Sequence, residues 1–298
     1  MSDTYDFELV AVSYHSRRHL QQLLASLPGD VPVVIVDNAR GADRVAELVA
    51  DRPNGRYLDS GGGKGYAKAS NMGVRTSTYE FVVFVNPDSR PTVDVFRTLI
   101  ASLRDDPTLG SCSAVAVHDD GRPQLGVGGW EPTLRRVFVH SFGLHKLLPS
   151  SGIWAPPRVG EIVERDWLSG TCMAIRRDTF LRLGGWDERY FVYNEDMAFG
   201  RRLREAGLRQ VIRGDVRVPH LSGSSGAAST TMSRLRGAAM VTYLRQYHSA
   251  GAVALMRGLL LTGYLLRVVQ RALTWRWQQA VEFLAYIRGL SFGGGDLV

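Results

Sequence analysis

Four polar groups stand directly after apolar stretches or at the mouths of helices, where a nucleotide-binding sheet would use them. Asp37 and Asn38 close the run VPVVIV. A carboxylate at a strand end can accept hydrogen bonds from a pyrimidine ring N–H or from a ribose hydroxyl. Residues 61–73, GGGKGYAKASNMG, form a glycine-rich entry into a helix. Glycines let backbone N–H groups approach a phosphate or sugar, and a helix N-terminus favours an anion; a plain tight turn over 61–63 is the competing reading. The stretch is neither a Walker A loop nor a correctly placed G-x-G-x-x-G, which disfavours a nucleoside triphosphatase or a dehydrogenase.

Asn86-Pro87-Asp88 ends the strand-like run FVVFV. Proline stops the strand and presents Asp88 at the rim, where a hard carboxylate suits Mg²⁺ or Mn²⁺ bridging a diphosphate. The other reading makes Asp88 the cap of a helix beginning near Thr92. The fourth group is GGWDERYFVYNED, residues 184–196, in which Glu195 and Asp196 open a helix among Trp186, Tyr190, Phe191 and Tyr193. Acids in a first helical turn are dipole partners. Two adjacent carboxylates among aromatics also make a place where one takes a proton from a sugar hydroxyl. Position in the first turn further predicts that the dipole keeps Asp196 ionised at neutral pH.

The elements that must hold these groups follow from periodicity. Between Phe7 and Val117, β-branched runs (9–12, 31–36, 81–85, 113–117) alternate with helical periods (19–27, 45–49, 67–74, 93–103), a βαβ rhythm that implies a mostly parallel sheet. Solid apolar runs fit strands covered on both faces, and ligands in such sheets sit outside the carboxyl ends of the strands. Residues 118–165 lose the rhythm and read as an irregular insertion over one edge. A strand at 172–175, helices at 178–183 and 195–206, a Gly/Ser loop after Pro219, and helices near 233–249, 251–273 and 276–289 complete the expectation.

With 298 residues, 45% apolar and 22% charged, the chain suits one large domain plus an appendage. Two cysteines, Cys112 and Cys172, support neither a disulfide framework nor a structural zinc site. Asp3, Asp6 and Glu8 at the start, in place of a basic then apolar run, predict no signal peptide and a cytoplasmic protein. Most of the net charge of +7 falls after residue 220, where eight arginines meet only Glu282 and Asp296. That distribution argues against a nucleic-acid groove and for an anionic surface met by the tail. Over 251–273, Leu255, Leu259, Leu266 and Leu273 share a face opposite Arg257, Arg267 and Arg271, a basic amphipathic pattern. The apolar run 258–266 is too short to span a bilayer. The tail over 251–289 is therefore expected to lie on the inner face of the plasma membrane through attraction that salt screens, or else to pack on the catalytic domain or a second copy.

Taken in order, the motifs VAVSYHSRRHLQQLLASL, VDN, GYAKASNMG, FVNPDS, WLSGTCMAIRRDTF, GGWDERYFVYNEDMAFGRRLREAG and VPHLSGSS closely resemble inverting glycosyltransferases of family 2, most of all actinobacterial rhamnosyltransferases acting on lipid-linked sugars. The resemblance spans about residues 7 to 250 and implies the GT-A fold: an α/β, Rossmann-like, mostly parallel sheet flanked by helices. It implies a catalytic domain over 1–232, with a nucleotide-sugar half (1–117) and an acceptor half (118–232), and a helical extension over 233–298. Carried over residue by residue, it assigns Tyr14 and Asp37 to the nucleotide base, Gly65, Asn71 and Gly73 to the loop beside the donor sugar and diphosphate, and Asn86 and Asp88 to the metal motif, with Asn86 standing where the family has its first acid. Asp88 and His220 would hold Mg²⁺ or Mn²⁺. Asp196 is the implied base and Glu195 its support, while Trp167, Gly170, Trp186, Asp187 and Tyr193 fall on the acceptor side.

The reaction implied is sugar transfer with inversion from a nucleotide diphosphate sugar, dTDP-L-rhamnose first, to a hydroxyl of a glycan or polyprenyl-linked acceptor. UDP-galactofuranose or UDP-GlcNAc as donor, and a non-catalytic nucleotide-sugar binding protein, are the alternatives. A sugar nucleotidyltransferase would need a glycine-rich phosphate loop directly after the first strand, and SYHSRRHL is not one.

Overall fold

The computed structural model describes residues 5–148, 150–155, 158–221 and 229–292. The Gly/Ser loop expected after Pro219, and part of the Gly/Pro-rich stretch at 149–157, lie outside the described residues. Strands β1 (Phe7–Ser13), β2 (Val33–Asp37), β3 (Gly55–Asp59), β4 (Phe81–Val85), β5 (Leu109–Val117), β6 (Gly128–Gly129), β7 (Ile162–Glu164), β8 (Trp167–Leu168), β9 (Cys172–Arg176) and β10 (Arg209–Pro219) alternate with helices. These are α1 (Arg17–Ala25), α2 (Tyr66–Thr76), α3 (Val93–Asp105), α4 (Leu134–Ser141), α5 (Arg177–Arg182), α6 (Glu195–Glu205), α7 (Ser229–Tyr247), α8 (Ala250–Leu273) and α9 (Trp277–Phe292).

Eight strands form one sheet in the order β3-β2-β1-β4-β9-β5-β10-β7, and β6 pairs with β8 separately. Pairings β1–β2, β1–β4, β2–β3 and β5–β10 are parallel, whereas β9 runs antiparallel between β4 and β5 and β7 runs antiparallel along β10. The sheet is thus mostly parallel with one reversed strand inside it. Because β9 is reversed, its entry lies beside the exit of β4, and the Asn86 N–H donates to Thr171 O at 3.0 Å. The insertion over 118–165 is more ordered than its composition implies, since it supplies α4, β6 and the edge strand β7.

Both faces of the sheet are buried, which accounts for the unbroken apolar runs. On one face Leu9, Ile35 and Val83 pack with Leu20, Leu23, Phe96 and Leu99; on the other Val10, Val36 and Phe84 pack with Val74, Phe180, Trp186 and Phe199. A third cluster joins Tyr190 and Met197, which flank the Glu195–Asp196 pair, to Met240, Tyr243, Leu244, Met256, Leu260 and Leu290 of the last three helices. The boundary expected at 232 falls inside α7.

Two expectations for the tail are corrected. Helix α8 is long and apolar enough to cross a membrane by length and composition; its continuous helical register adds apolar residues on both sides of the 258–266 run. The arginine face is also not left free for a polybasic anchor. Arg257 donates to Ser291 O and Arg267 to His140 O, so these two arginines turn toward the protein, while Leu255, Leu266 and Leu273 are exposed. A guanidinium can satisfy backbone carbonyls at a helix–helix contact, and the periodicity of α8 does not say which face meets the protein.

Candidate active site

The carboxyl ends of the parallel strands carry the first group of side chains. Tyr14, just past β1, is exposed at 44% and stands edge-on to His15, leaving a ring face open. Asp37, expected to reach a base, is instead buried and accepts from Ala39 N at 2.7 Å, Gly41 N at 2.8 Å and Tyr57 Oη at 3.1 Å. It shapes the 38–41 turn, as strand-end aspartates do through their own following amides. Asn38 Oδ1 accepts from Ser60 Oγ and Lys64 N, both at 2.9 Å, which ties the glycine loop to the end of β2.

That loop enters α2 through Gly65, whose φ of 80° lies where a β-carbon is unfavourable. A side chain here would land on the Phe191 carbonyl, and the Tyr66 N–H donates to that same oxygen at 2.6 Å. The donor loop and the 184–196 segment therefore meet backbone to backbone. Two further assignments in α2 change. Asn71 is buried, its Oδ1 accepting from Trp186 N at 2.8 Å and its Nδ2 donating to Trp186 O at 2.8 Å and Glu188 Oε1 at 3.1 Å. Its amide clamps the 184–196 segment. Gly73 abuts Val10 and Val36 of the sheet, where a β-carbon would come within 3.0 Å of both.

Asp88 follows β4 and is nearly buried. Its Oδ1 lies 3.1 Å from His220 Nε2. Gln124 fixes that imidazole: its Nε2 donates to His220 O, and its Oε1 faces Nδ1 at 2.7 Å. Nε2 then faces Asp88, with Asn86 Nδ2 at 3.4 Å. A carboxylate oxygen and an imidazole nitrogen oriented by a second residue are a fitting donor set for a divalent cation. Among the described residues no group of three or more His, Cys, Asp or Glu forms a metal cage, so a cation here would complete its shell with diphosphate oxygens and water.

The carboxylate pair opens α6. Tyr193 and Asn194 both take left-handed backbone, φ 71° and 64°, a conformation that costs about 1–3 kcal/mol for such residues and collects at functional sites. Glu195 is buried with Oε2 unpartnered, and Asn194 Nδ2 is likewise unpartnered among the described residues. Loss of water pushes the Glu195 carboxyl well above its ordinary range, and the neighbouring Asp196 adds to this. Burial pushes Asp196 up to about 7, opposed by the backbone N–H groups of Met197 and of Asp196 itself. The expectation of a dipole-ionised Asp196 is thereby overturned: dipole stabilisation is worth about 0.3–1 kcal/mol at an exposed helix end, less than desolvation among aromatics.

Tyr66 and Gly170 complete this wall. A β-carbon on Gly170 would sit 2.8 Å from the Tyr66 hydroxyl, and the field of Glu195 and Asp196 joins burial in raising the Tyr66 pKa. Tyr66 was legible only as a helix-start aromatic. Arg236 of α7 lies over the Tyr193 ring at 4.5 Å. Asp187 pairs with Arg189 at 2.6 Å and accepts from Gln246 Nε2 at 3.2 Å. Two residues assigned to the acceptor side are core instead: Trp167 donates to Trp130 O at 3.3 Å, and Trp186 packs against Phe84, Phe180 and Phe199. Helix α6 is held from behind, Arg202 donating to Leu183 O and Gly185 O at 2.5 and 2.6 Å and Arg204 to Glu131 at 2.6 Å.

Residues 13–150, which include the β1, β2 and β4 strand ends and the glycine loop, match the model of Glycosyl transferase family 2. The chain carries a family 2 glycosyltransferase domain. An N-acetylglucosaminyl-diphospho-decaprenol L-rhamnosyltransferase of Mycobacterium tuberculosis is 29% identical over 240 residues, 71% of this chain and 75% of that protein. Rhamnosyltransferase WbbL of Escherichia coli is 24% identical over 214 residues, 67% and 78% of the two chains. Among solved structures, mannosyltransferase PcManGT from Pyrobaculum calidifontis, in complex with GDP-Man and Mn²⁺, superposes with a TM-score of 0.61 at 17% identity, covering 97% of this chain and 88% of that one, which establishes a shared fold. Family 2 glycosyltransferases are inverting hexosyltransferases. In this glycosyltransferase the matched span contains the Tyr14, Gly65 and Asp88 positions, and it meets the segment bearing Glu195 and Asp196 at Gly65, Tyr66 and Asn71.

Proposed function

We propose that this glycosyltransferase moves L-rhamnose, with inversion, from dTDP-rhamnose to a hydroxyl of a polyprenyl diphosphate-linked glycan at the inner face of the plasma membrane. The observation that carries the reading is a buried carboxyl pair, Glu195 and Asp196, whose segment meets the glycine loop at Phe191; the Asp88–His220 pair past β4 and β10 supports it as the place for a cation. The sugar and acceptor follow from what the mycobacterial relative is named for. A divalent cation, such as the Mn²⁺ in the PcManGT complex, would neutralise charge on the departing diphosphate.

The chain's own residues do the rest. Tyr14 offers its open ring face to the base, and the Gly65 loop brings the donor against the 184–196 segment. Asp196 takes the acceptor proton as the hydroxyl oxygen attacks. A carboxylate with a pKa near 7 is a stronger base than an ordinary aspartate while remaining ionised in half the molecules at that pH. Burial raises the Glu195 carboxyl well above its ordinary range, which disfavours a second negative charge beside Asp196.

The test is transfer from a panel of nucleotide sugars to a synthetic N-acetylglucosaminyl diphosphate lipid, with the anomeric configuration of the product read by NMR. Rhamnose transfer with inversion and loss of transfer in Asp196→Asn support the reading. Preferential turnover of a UDP-sugar would replace the donor, and a donor that binds without turnover on any acceptor would leave a binding protein.

A further inference from the structure

The outer faces of α8 and α9 converge on the turn between them. Val269, Leu273, Trp275, Trp277 and Val281 are all exposed there, with Leu273 at 75%, Trp275 at 81% and Trp277 at 57%. Trp275 holds a left-handed φ of 58°, so a bulky residue adopts a strained backbone while its ring stays in solvent and gains no core contact. Further along α8, Leu255, Leu265 and Leu266 continue the exposed face. Contiguous apolar surface of this kind marks a protein or membrane contact.

We propose that the α8–α9 turn is a membrane wedge: Leu273, Trp275 and Trp277 enter the interfacial layer of a lipid bilayer, and this apolar contact holds the enzyme at the surface more than basic charge does. The proposal rests on the lipid-linked acceptor reading for its biological sense, and its test does not depend on it.

Three observations choose lipid as the occupant. Paired tryptophans are the residues that settle at the headgroup level, and Arg276 stands exposed between them, placed for headgroup phosphates. Over residues 250–292 the only acid is Glu282, against five arginines. A two-fold contact with a second copy centred on this patch would bring both copies' Arg271 and Arg276 together with no acid opposite, a costly arrangement. Finally, α8 is docked lengthwise on the body: Gly263 abuts the Ser141 backbone so closely that a β-carbon would collide with it, Arg267 donates to His140 O, and Tyr264 stacks on Tyr286 at 4.0 Å. A helix packed on α4 and α9 along one face presents only its other face to lipid, so it lies on the membrane and does not cross it.

Two of the three arginines on the basic face, Arg257 and Arg267, are engaged with Ser291 and His140 carbonyls. The mode of attachment is therefore distinguishable by salt. The full chain, without sugar substrates, should co-sediment with vesicles of phosphatidylcholine and phosphatidylglycerol, and 1 M NaCl should weaken that partition by less than about threefold, since screening removes only the electrostatic part. Brominated lipid should quench indole emission, and Trp275→Phe with Trp277→Phe should remove most of the quenching. Leu273→Glu with Trp275→Glu, both at exposed positions, should lower partition at least about tenfold while the chain stays monomeric and transfer to a water-soluble acceptor is unchanged. Complete release by salt, resistance to alkaline carbonate extraction as for a spanning helix, or loss of a dimer with vesicle binding intact in the double variant would each overturn the wedge. Vesicle binding that holds while no acceptor is glycosylated would instead remove the proposed function and leave the wedge standing.

Discussion

At the scale of single residues, Glu195 and Asp196 are neighbours with different duties because their surroundings differ. Adjacent helical positions point about 100° apart. Glu195 is the more deeply buried and has an unpartnered oxygen, whereas Asp196 is half-buried and receives the Met197 N–H at 2.7 Å. The expected pH profile follows in sign: a base with its pKa at about 7 gives kcat/KM rising tenfold per pH unit below 7 and levelling above it. Asp196→Asn should keep donor affinity and lose about 10²–10⁴ in kcat. Glu195→Gln, which preserves the neutral form, should keep most of the turnover; a dead Glu195→Gln beside an active Asp196→Asn would exchange the two roles. The same shifts predict stability. Both carboxyls are raised on folding, so the native state binds more protons than the unfolded chain between the ordinary carboxyl range and the raised values. Unfolding free energy therefore falls as pH rises across that window, and urea titrations at pH 5 and pH 8 should show it, with a smaller difference in Glu195→Gln.

At the scale of elements, the site depends on how α2 grips the 184–196 segment. Asn71→Ala would leave the Trp186 N–H and C=O without their partner in a buried place, and about 2–4 kcal/mol of stability should go with them. Turnover should fall further than the loss of folded protein explains, because Glu195 and Asp196 lie beyond that clamp. If Asn71→Ala is as stable and active as the parent, the clamp is incidental. Gly65→Ala should be worse for catalysis, since its β-carbon meets the Phe191 carbonyl, part of the backbone. The βαβ half and helices beginning near 67 and at 195 were legible in the sequence, since period and strand-end position carry that information. The partners of Asp37, Asn71, Trp167 and Trp186 were not legible, because a polar or aromatic residue beside a site has the same spacing whether it faces ligand or core. Only the partners decide: three donors around Asp37, the Trp186 backbone around Asn71, Phe84 and Phe199 around Trp186. Tyr66 and Arg236 escaped notice for a related reason, their roles coming from residues more than 40 positions away in the chain.

At the scale of the whole molecule, a sheet that sends β4 and β10 to the same edge lets Asp88 and His220 meet across 132 positions of sequence, with Gln124 fixing the ring from the insertion between them. Spacing alone left Asp88 as either cap or ligand. Thr92, not Asp88, is the N-cap residue of α3, so Asp88 does not cap that helix, and its place beside His220 suits the cation proposed above. The consequence can be read from the melting of the entire chain, because a ligand that binds only the native state raises its stability by mass action, about 2.7 kcal/mol at a hundredfold excess over Kd. Nucleoside diphosphate with Mn²⁺ should therefore raise Tm by several degrees, on the order of 5–10 °C for a chain of this size, and EDTA should cancel most of the rise. Asp88→Ala should lose the Mn²⁺-dependent part of the increment, compared against its own melting without ligand, since His220 also loses a partner in that variant. Asp196→Asn should retain the increment in full, its carboxyl lying on the acceptor side. Protection that persists in EDTA, or an Mn²⁺-dependent increment undiminished in Asp88→Ala, would show that the diphosphate is held by the chain's own donors and that the Asp88–His220 pair is a salt bridge of the scaffold.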